Sequence, residues 1–463
     1  MFVPKLERLI GIEVYATNSF GIGGVIRQSA EDFVVEEVLV DGSKAEINQP
    51  ITHQPITHQV LGSSPTKNRY LLCVMIKRNW DTFQAIKVVA EQLGVSTRQI
   101  QIAGIKDAKA VTAQHITVEG VSAEDIKQVH LKDIEIRPVG YFRSKLSSYY
   151  LLGNSFNITI KAISYSKSTI QKRVTKITEE LEALGGAPNF FGHQRFGTTR
   201  PITHLVGKAI VKGHLKKAAM LFLAKPSCYE HPESRQAREQ LQATQDFKQA
   251  FANFPRQLRY ERLMLMHLAE KSDDFVGAFR RLPIKLRELF PQAYQSYLFN
   301  KFLSRRIENG IPLNKAENGD YAVNVEHSGL PMLIMYRTAS MQKLEEVNRA
   351  VKTGRMYIAI PLVGFKQHLS QGVQGEIEKQ ILQEEYVSPE NFKINVMPEI
   401  SARGELRTAI TPLNNFSLNK ISEDSANPSK HEAELSFTLN RGSYATIILR
   451  ELMKPHNPIR AGF

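Results

Sequence analysis

The chain has 463 residues, 42% hydrophobic and 23% charged, with 60 Lys and Arg against 46 Asp and Glu for a net charge of +14. This length passes the roughly 250–300 residues at which one core stops growing, which points to two domains, and the ordinary composition excludes a disordered, fibrous or repeat-built chain. The excess of cations favours a polyanionic partner, because each phosphate neutralised by Lys or Arg releases condensed counterions.

Cys73 sits in the apolar run Leu71 to Ile76 as buried filler, Cys228 is far from it, and no metal-binding spacing occurs, so neither a disulfide framework nor a metal site is expected. No run approaches the roughly 20 apolar residues of a bilayer span, and Met1 to Glu7 lacks the apolar stretch of a signal peptide. A reducing compartment, the cytoplasm, is the expected location.

Gly21-Ile22-Gly23-Gly24 has the glycine content of a phosphate loop but no Lys-Ser/Thr, and reads as a turn into a strand. Val25 to Val38 predicts strand, a turn at Ser29 to Asp32, and a second strand from Phe33. Residues 50–59 repeat Pro-Ile-Thr-His-Gln, a surface loop in which His53 and His58 are read as tolerated duplication rather than metal ligands. Tyr70 to Ile76 predicts a buried strand. Asp81 then caps a helix, with Gln84 in capping-box position and Gly94 closing it.

Short strands follow at Ile100 to Ala103 and His115 to Val118, and Phe156, Ile158 and Ile160 alternate as in a half-buried strand. Ile170, Val174, Ile177, Leu181 and Leu184 keep helical spacing up to Gly185-Gly186. Residues 206–310 are helix-like, and 320–400 mix short strands with helices such as Met341 to Val351. Strands return at Glu434 to Leu439 and Tyr444 to Arg450, on either side of Asn440-Arg441-Gly442-Ser443. A strand-rich style that resumes after a helical interval predicts an inserted domain, with 1–205 and 402–463 forming the host and 206–401 the insert.

Two segments concentrate chemistry. In Ala103-Gly104-Ile105-Lys106-Asp107-Ala108-Lys109, a glycine allows a sharp turn at a strand end, and two lysines flank a carboxylate in a way that favours its ionised, nucleophilic form. Thr112 and Gln114 either meet a substrate or brace this loop. The plainer alternative makes Asp107 the cap of a helical turn. The second segment, Asn189-Phe190-Phe191-Gly192-His193-Gln194-Arg195-Phe196-Gly197, mixes rings that stack on bases with amides that read base edges and an arginine that grips phosphate. Its alternative is a loop whose rings plug a core. His193 reads as a satisfied or exposed histidine rather than a general base.

Taken together, Ala103-Gly104-x-Lys106-Asp107-x-x-Ala110-x-Thr112-x-Gln114 and the Asn189 to Gly197 segment resemble the TruD family of pseudouridine synthases. Glu31-Asp32-Phe33-x-Val35-x-Glu37, Gly153-Asn154-x-Phe156, Gln295 to Asn300 and Gly442 to Leu452 match further blocks of that family, in order over residues 27–452. The segment Ser227 to Ser272 and the 50–59 duplication match none.

The resemblance implies an α+β fold: a pseudouridine synthase catalytic domain with a mixed, mostly antiparallel β-sheet flanked by helices, plus an inserted α/β domain. It implies a cofactor-independent isomerase that breaks the N-glycosidic bond of a uridine, rotates the base and rejoins it through carbon. The implied substrate is tRNA at uridine 13 of the D arm, other structured RNA being a further class, and the protein is expected to be a monomer needing no metal.

By motif position Asp107 is the essential aspartate, acting as a nucleophile toward sugar or base, or as a base at the ribose. The resemblance implies that Phe191 lies against the target uracil and that Asn189 braces the loop or the aspartate. Arg27 pairs with Asp107 or holds the substrate phosphate, and Lys106, Gln194 and Arg195 are further substrate contacts. The competing reading is an RNA-binding protein of the same fold without catalysis, against which Asp107, Asn189 and Phe191 all speak. A nuclease would want clustered carboxylates for metal ions, whereas Asp107 sits among lysines.

Overall fold

Period-2 alternation buries Phe33, Val35, Glu37 and Leu39 on one face of the strand Phe33–Leu39, and this strand lies in the middle of the large sheet. The computed structural model describes residues 2–48, 63–64 and 69–463; the 50–59 duplication, with His53 and His58, lies outside the described residues.

The large sheet runs in the order Asn414–Glu423, His431–Asn440, Leu151–Ile163, Phe33–Leu39, Val111–Glu119, Tyr70–Arg78, Ile134–Phe142 and Ser63–Ser64, with Ile100–Ile102 paired to Val111–Glu119. Phe33–Leu39 and Val111–Glu119 are parallel, with Val34 opposite Val111, and the other pairings in this sheet are antiparallel. The parallel pair requires a long crossover between its strands, and the chain supplies it with Tyr70–Arg78, the helix Thr82–Leu93 and the Asp107 loop. That topology is what carries Asp107 back to the residues around Arg27.

The helix Thr82–Leu93 begins where expected: Asp81 accepts hydrogen bonds from the amides of Phe83 and Gln84, and Gly94 closes it in the left-handed region at φ 65°. The helix Lys167–Ala183 buries Ile170, Val174, Ile177 and Leu181 against Phe33, Phe156, Leu435 and Phe437. Mixed, mostly antiparallel pairing with flanking helices is the α+β arrangement expected of the host domain.

One expected strand is a helix. Tyr444 to Arg450, expected as an alternating strand, is helical over Ala445–Met453, with Tyr444 as its N-cap residue. Every residue from Ala445 to Met453 is buried, and a short apolar run enclosed on all sides carries no period that distinguishes helix from strand. Burial overrides the propensity of Thr446, Ile447 and Ile448.

A second sheet, in the order Pro331–Thr338, Tyr321–Val325, Met356–Leu362 and Glu405–Thr408, packs with the helices of 203–308 around a second core that includes Leu265, Phe290, Phe299, Phe302, Ile358 and Ile360. Phe190, Phe191 and Phe196 before the 206–401 segment and Ala409, Ile410 and Ile447 after it belong to this core as well, so it draws on both flanks of that segment. The motif-free region holds the helices Pro232–Thr244, Phe247–Asn253 and Arg259–Glu270, tied together where buried Arg238 meets Glu230 and Glu261. Along the helix Ile284–Glu308 lie Gln295, Ser296 and Asn300, all buried and all facing the Asn189 to Phe196 segment or the second sheet. Phe299 on this helix is fully enclosed, so Phe299→Ala removes a ring from a close-packed core at about 3–5 kcal/mol.

Candidate active site

The loop after Ile100–Ile102 is held at four points. Gln114 Nε2 donates to the Gly104 carbonyl at 3.1 Å. The Thr82 hydroxyl accepts from the Lys106 amide at 3.1 Å and donates to the Lys106 carbonyl at 3.2 Å. The ammonium of Lys77, enclosed by the sheet, donates to the Asp107 carbonyl at 2.6 Å and the Trp80 carbonyl at 2.7 Å. Burial lowers the Lys77 ammonium to about 8, against the opposing fields of Asp107 and Asp81. The alternative in which Asp107 caps a helical turn does not occur, for no helix follows it before Val111–Glu119.

With its backbone fixed, Asp107 turns its side chain to Arg27. Arg27 Nη2 meets Asp107 Oδ1 at 2.9 Å, and Arg27 Nη1 donates to the Gly462 carbonyl at 2.9 Å. The guanidinium carbon lies 3.8 Å from the centre of the Phe33 ring, a cation–π contact that fixes its plane. Arg27 adopts φ 60°, a conformation uncommon for residues other than glycine and maintained by these contacts. Burial lowers the arginine, and the adjacent Asp107 opposes that shift. Asp107 keeps 35% of its side-chain surface open while Arg27 keeps 10%, and Oδ2 has no hydrogen-bond partner among the described residues. The pair therefore presents one free carboxylate oxygen outward from a fixed base.

Lys106 is placed otherwise than as a surface contact. Its ammonium forms a buried ion pair with Glu37, whose other oxygen accepts from the His115 amide at 3.0 Å. Alternation along Phe33–Leu39 is the cause: Glu37 shares the buried parity of Phe33 and Val35, so a cation must reach it inside the protein. Lys106 and His115 hold the Glu37 carboxyl below its ordinary range even though burial pushes the other way. Gln114 braces the loop, and the Thr112 hydroxyl forms no hydrogen bond among the described residues.

The aromatic segment forms a second constellation around Arg407. Arg407 Nη2 donates to Asn189 Oδ1 at 2.6 Å, Nε donates to the Asn189 carbonyl at 2.9 Å, and the guanidinium carbon lies 3.9 Å from the centre of the Phe191 ring. Asn189 Nδ2 donates to the Thr408 hydroxyl at 2.9 Å. Burial lowers Arg407 to about 10, with neighbouring Arg195 acting in the same direction. Asn300 accepts from the Phe191 amide at 2.9 Å and donates to its carbonyl at 3.1 Å. Arg195 Nε donates to the Ser296 hydroxyl at 3.1 Å, and exposed Gln194 accepts from the Thr446 hydroxyl at 3.3 Å. His193 is buried, and burial lowers it to about 4, which leaves its ring neutral near pH 7.

The expected residues thus fall into two groups: Arg27 with Asp107, and Asn189, Phe191, Gln194 and Arg195 around Arg407. No hydrogen bond joins one group directly to the other among the described residues. Lys77, Glu37, Asn300 and Arg407 are contributors that the motif reading did not assign. Glu37 carried a sequence signal, a charge on the buried parity of an alternating strand, and Lys77 another, a charge continuing a strand buried on both faces; Arg407 carried none.

The family profile described as tRNA pseudouridine synthase D (TruD) matches residues 9–452. A Methanosarcina mazei protein named "Probable tRNA pseudouridine synthase D" is 40% identical over 461 residues, spanning 99% of this chain and 100% of that protein. A Thermococcus onnurineus protein of the same name is 36% identical over 442 residues, spanning 96% and 97% of the two chains. A crystal structure assigned to TruD of Methanosarcina mazei superposes with a TM-score of 0.83 at 39% identity, covering 99% of this chain and 100% of that one. A family profile matching residues 9–452, relatives 36–40% identical over nearly the whole chain and a solved structure superposing at a TM-score of 0.83 identify this chain as a member of the TruD family of pseudouridine synthases.

Proposed function

We propose that the protein isomerises uridine 13 in the D arm of tRNA to pseudouridine, with Asp107 as its essential group. The observation that carries this reading is the Arg27–Asp107 pair at 2.9 Å, in which one carboxylate oxygen is fixed and the other is open. A carboxylate held in this way suits each role open to it: nucleophile toward the sugar carbon, nucleophile toward the base, or base at the ribose. The reaction is an isomerisation. The bond from the sugar to the base nitrogen breaks, the base turns within the site, a sugar–carbon bond forms, and the proton displaced from that carbon is exchanged onto the nitrogen. Atoms balance without a co-reactant.

Reaching Asp107 requires the uridine to leave its stack, at a few kcal/mol that contacts elsewhere must offset. Phe191 is stacked under Arg407, tied to Asn300 and 7% exposed, so in this reading the extruded uracil meets its small open edge and the Arg407 guanidinium above it, with Asn189 holding both in register. Gln194 and Arg195 contact the strand beyond it. Lys106 serves from inside the protein, holding the loop through Glu37 rather than touching RNA. In this reading 1–205 and 402–463 form the catalytic domain and 206–401 the insert, and the net charge of +14 draws tRNA to both. The protein acts in the cytoplasm, as a monomer.

The test is conversion of a tRNA transcript by purified protein, with the modified position mapped by carbodiimide-primed reverse-transcription stops. One pseudouridine at position 13, absent when that uridine is replaced by cytidine, is the expected result. Efficient conversion elsewhere in the cytidine transcript would overturn the assignment of position.

A further inference from the structure

Behind Arg27 a groove of about 680 Å³ opens between the N-terminal segment, the end of the strand Leu151–Ile163 and the C-terminal tail. This lies in the range of roughly 300–1,000 Å³ usual for small-ligand sites. Tyr15, Phe20, Tyr165, Arg173, Lys454 and Arg460 line it, and among the described residues no carboxylate does. The Arg173 guanidinium lies 3.9 Å from the centre of the Tyr165 ring and 5.8 Å from that of Phe20, while Lys454 Nζ is 5.1 Å from the centre of Tyr15.

Phe20 is 72% exposed and Tyr165 is 40% exposed, so the stack is open on its outer side. The cations are fixed from behind: Arg173 Nη1 donates to the Gly21 carbonyl at 2.7 Å, and Lys454 Nζ to the Thr17 carbonyl at 2.8 Å. Isolated surface rings need no explanation. Two open rings beside a guanidinium, in a concavity without acidic residues, form a platform for a flat base on a polyanionic chain.

The wall of the groove adjoins the Arg27 segment along the chain. Val25 and Ala461 belong to its wall, the Ile26 amide donates to the Ala461 carbonyl at 3.0 Å, and the next residues, Arg27 and Gly462, meet at 2.9 Å.

We propose that this groove binds an unpaired nucleotide of the RNA substrate, its base on Phe20 and Tyr165 and its phosphate toward Lys454 and Arg460. The proposal rests on the RNA-modifying reading above and adds a second contact to it, outside the chemistry. Binding there secures the RNA strand while the target uridine is extruded.

The test uses the full chain. Phe20→Ala/Tyr165→Ala is expected to weaken the Kd for tRNA about tenfold, the loss of a base–aromatic stack, and to leave the single-turnover rate at saturating protein unchanged. Arg460→Ala, on an exposed side chain, should lower the slope of log affinity against log salt by about one phosphate contact. Wild-type Kd in the double variant overturns the proposal. So does a double variant that loses binding of adenosine monophosphate while keeping its tRNA affinity, which would make the groove a free-nucleotide site. Failure of the wild-type protein to convert any tRNA would count against the activity instead, and the tRNA Kd of the double variant would still decide the groove.

Discussion

Arg27 meets Asp107 at 2.9 Å across 80 residues of chain, and the same guanidinium holds the Gly462 carbonyl, so the N-terminal segment, the Asp107 loop and the C-terminal tail converge on one side chain. A planar fork makes both bonds at once while stacking on Phe33, and an ammonium cannot reproduce that geometry. Arg27→Lys is expected to lower the single-turnover rate by about a hundredfold, as misplacement of a reacting group by about 1 Å can do. The Kd for tRNA should stay within a few-fold of wild type. A normal rate would show that Arg27 does not orient Asp107.

Glu37 and Lys106 form an ion pair with almost no exposure on either side chain. Glu37→Gln leaves an uncompensated ammonium inside the sheet and should destabilise the fold by about 3–5 kcal/mol in urea denaturation. Glu37→Met/Lys106→Met removes both charges and should recover most of that loss. Equal destabilisation in the single and double variants would mean that packing, not the unpaired charge, sets the cost.

Arg407 ties Asn189 to Phe191 through two hydrogen bonds and a ring contact. Arg407→Leu frees the loop at both residues and should depress the saturating rate by about a hundredfold while tRNA still binds. A variant with intact turnover would remove Asn189 and Phe191 from the proposed base platform.

Glu378 gives a stability signature that depends on pH. Burial raises its carboxyl from 4.5 to about 7, although Gln374 and the Ser370 amide donate to it. A raised carboxyl holds its proton more tightly in the folded state. Its stabilising contribution is therefore complete below pH 4.5 and is lost as pH rises through about 7. The full swing is about 3 kcal/mol. His193, lowered to about 4, works in the opposite direction as acid is added, so the comparison must be between variant and wild type. Glu378→Gln should flatten the decline in stability between pH 5 and pH 8 by roughly that amount. Parallel profiles would contradict the assignment.

How far the sequence could be read follows from the range of the interactions involved. The Asp81 cap, the Gly94 stop and the helix carrying Ile170 to Leu181 depend on neighbours within a few residues, and they stand where the local pattern puts them. The segment after Tyr444 does not, because a run buried on all sides looks alike as strand or helix. Asp107 and Asn189 were found by motif, but their supports lie 30 and 218 residues away, at Lys77 and Arg407. No local spacing encodes such pairs. Lys106 shows the opposite hazard: its place beside Asp107 in the motif implies a substrate contact, yet strand parity at Glu37 draws it inward.

The most direct test of the central claim is single-turnover conversion of a tRNA transcript by Asp107→Asn. The amide keeps the size of the carboxylate and one oxygen for Arg27, so the loop geometry and the tRNA Kd should be retained while pseudouridine formation becomes undetectable. Pseudouridine formed at the wild-type rate would contradict the account.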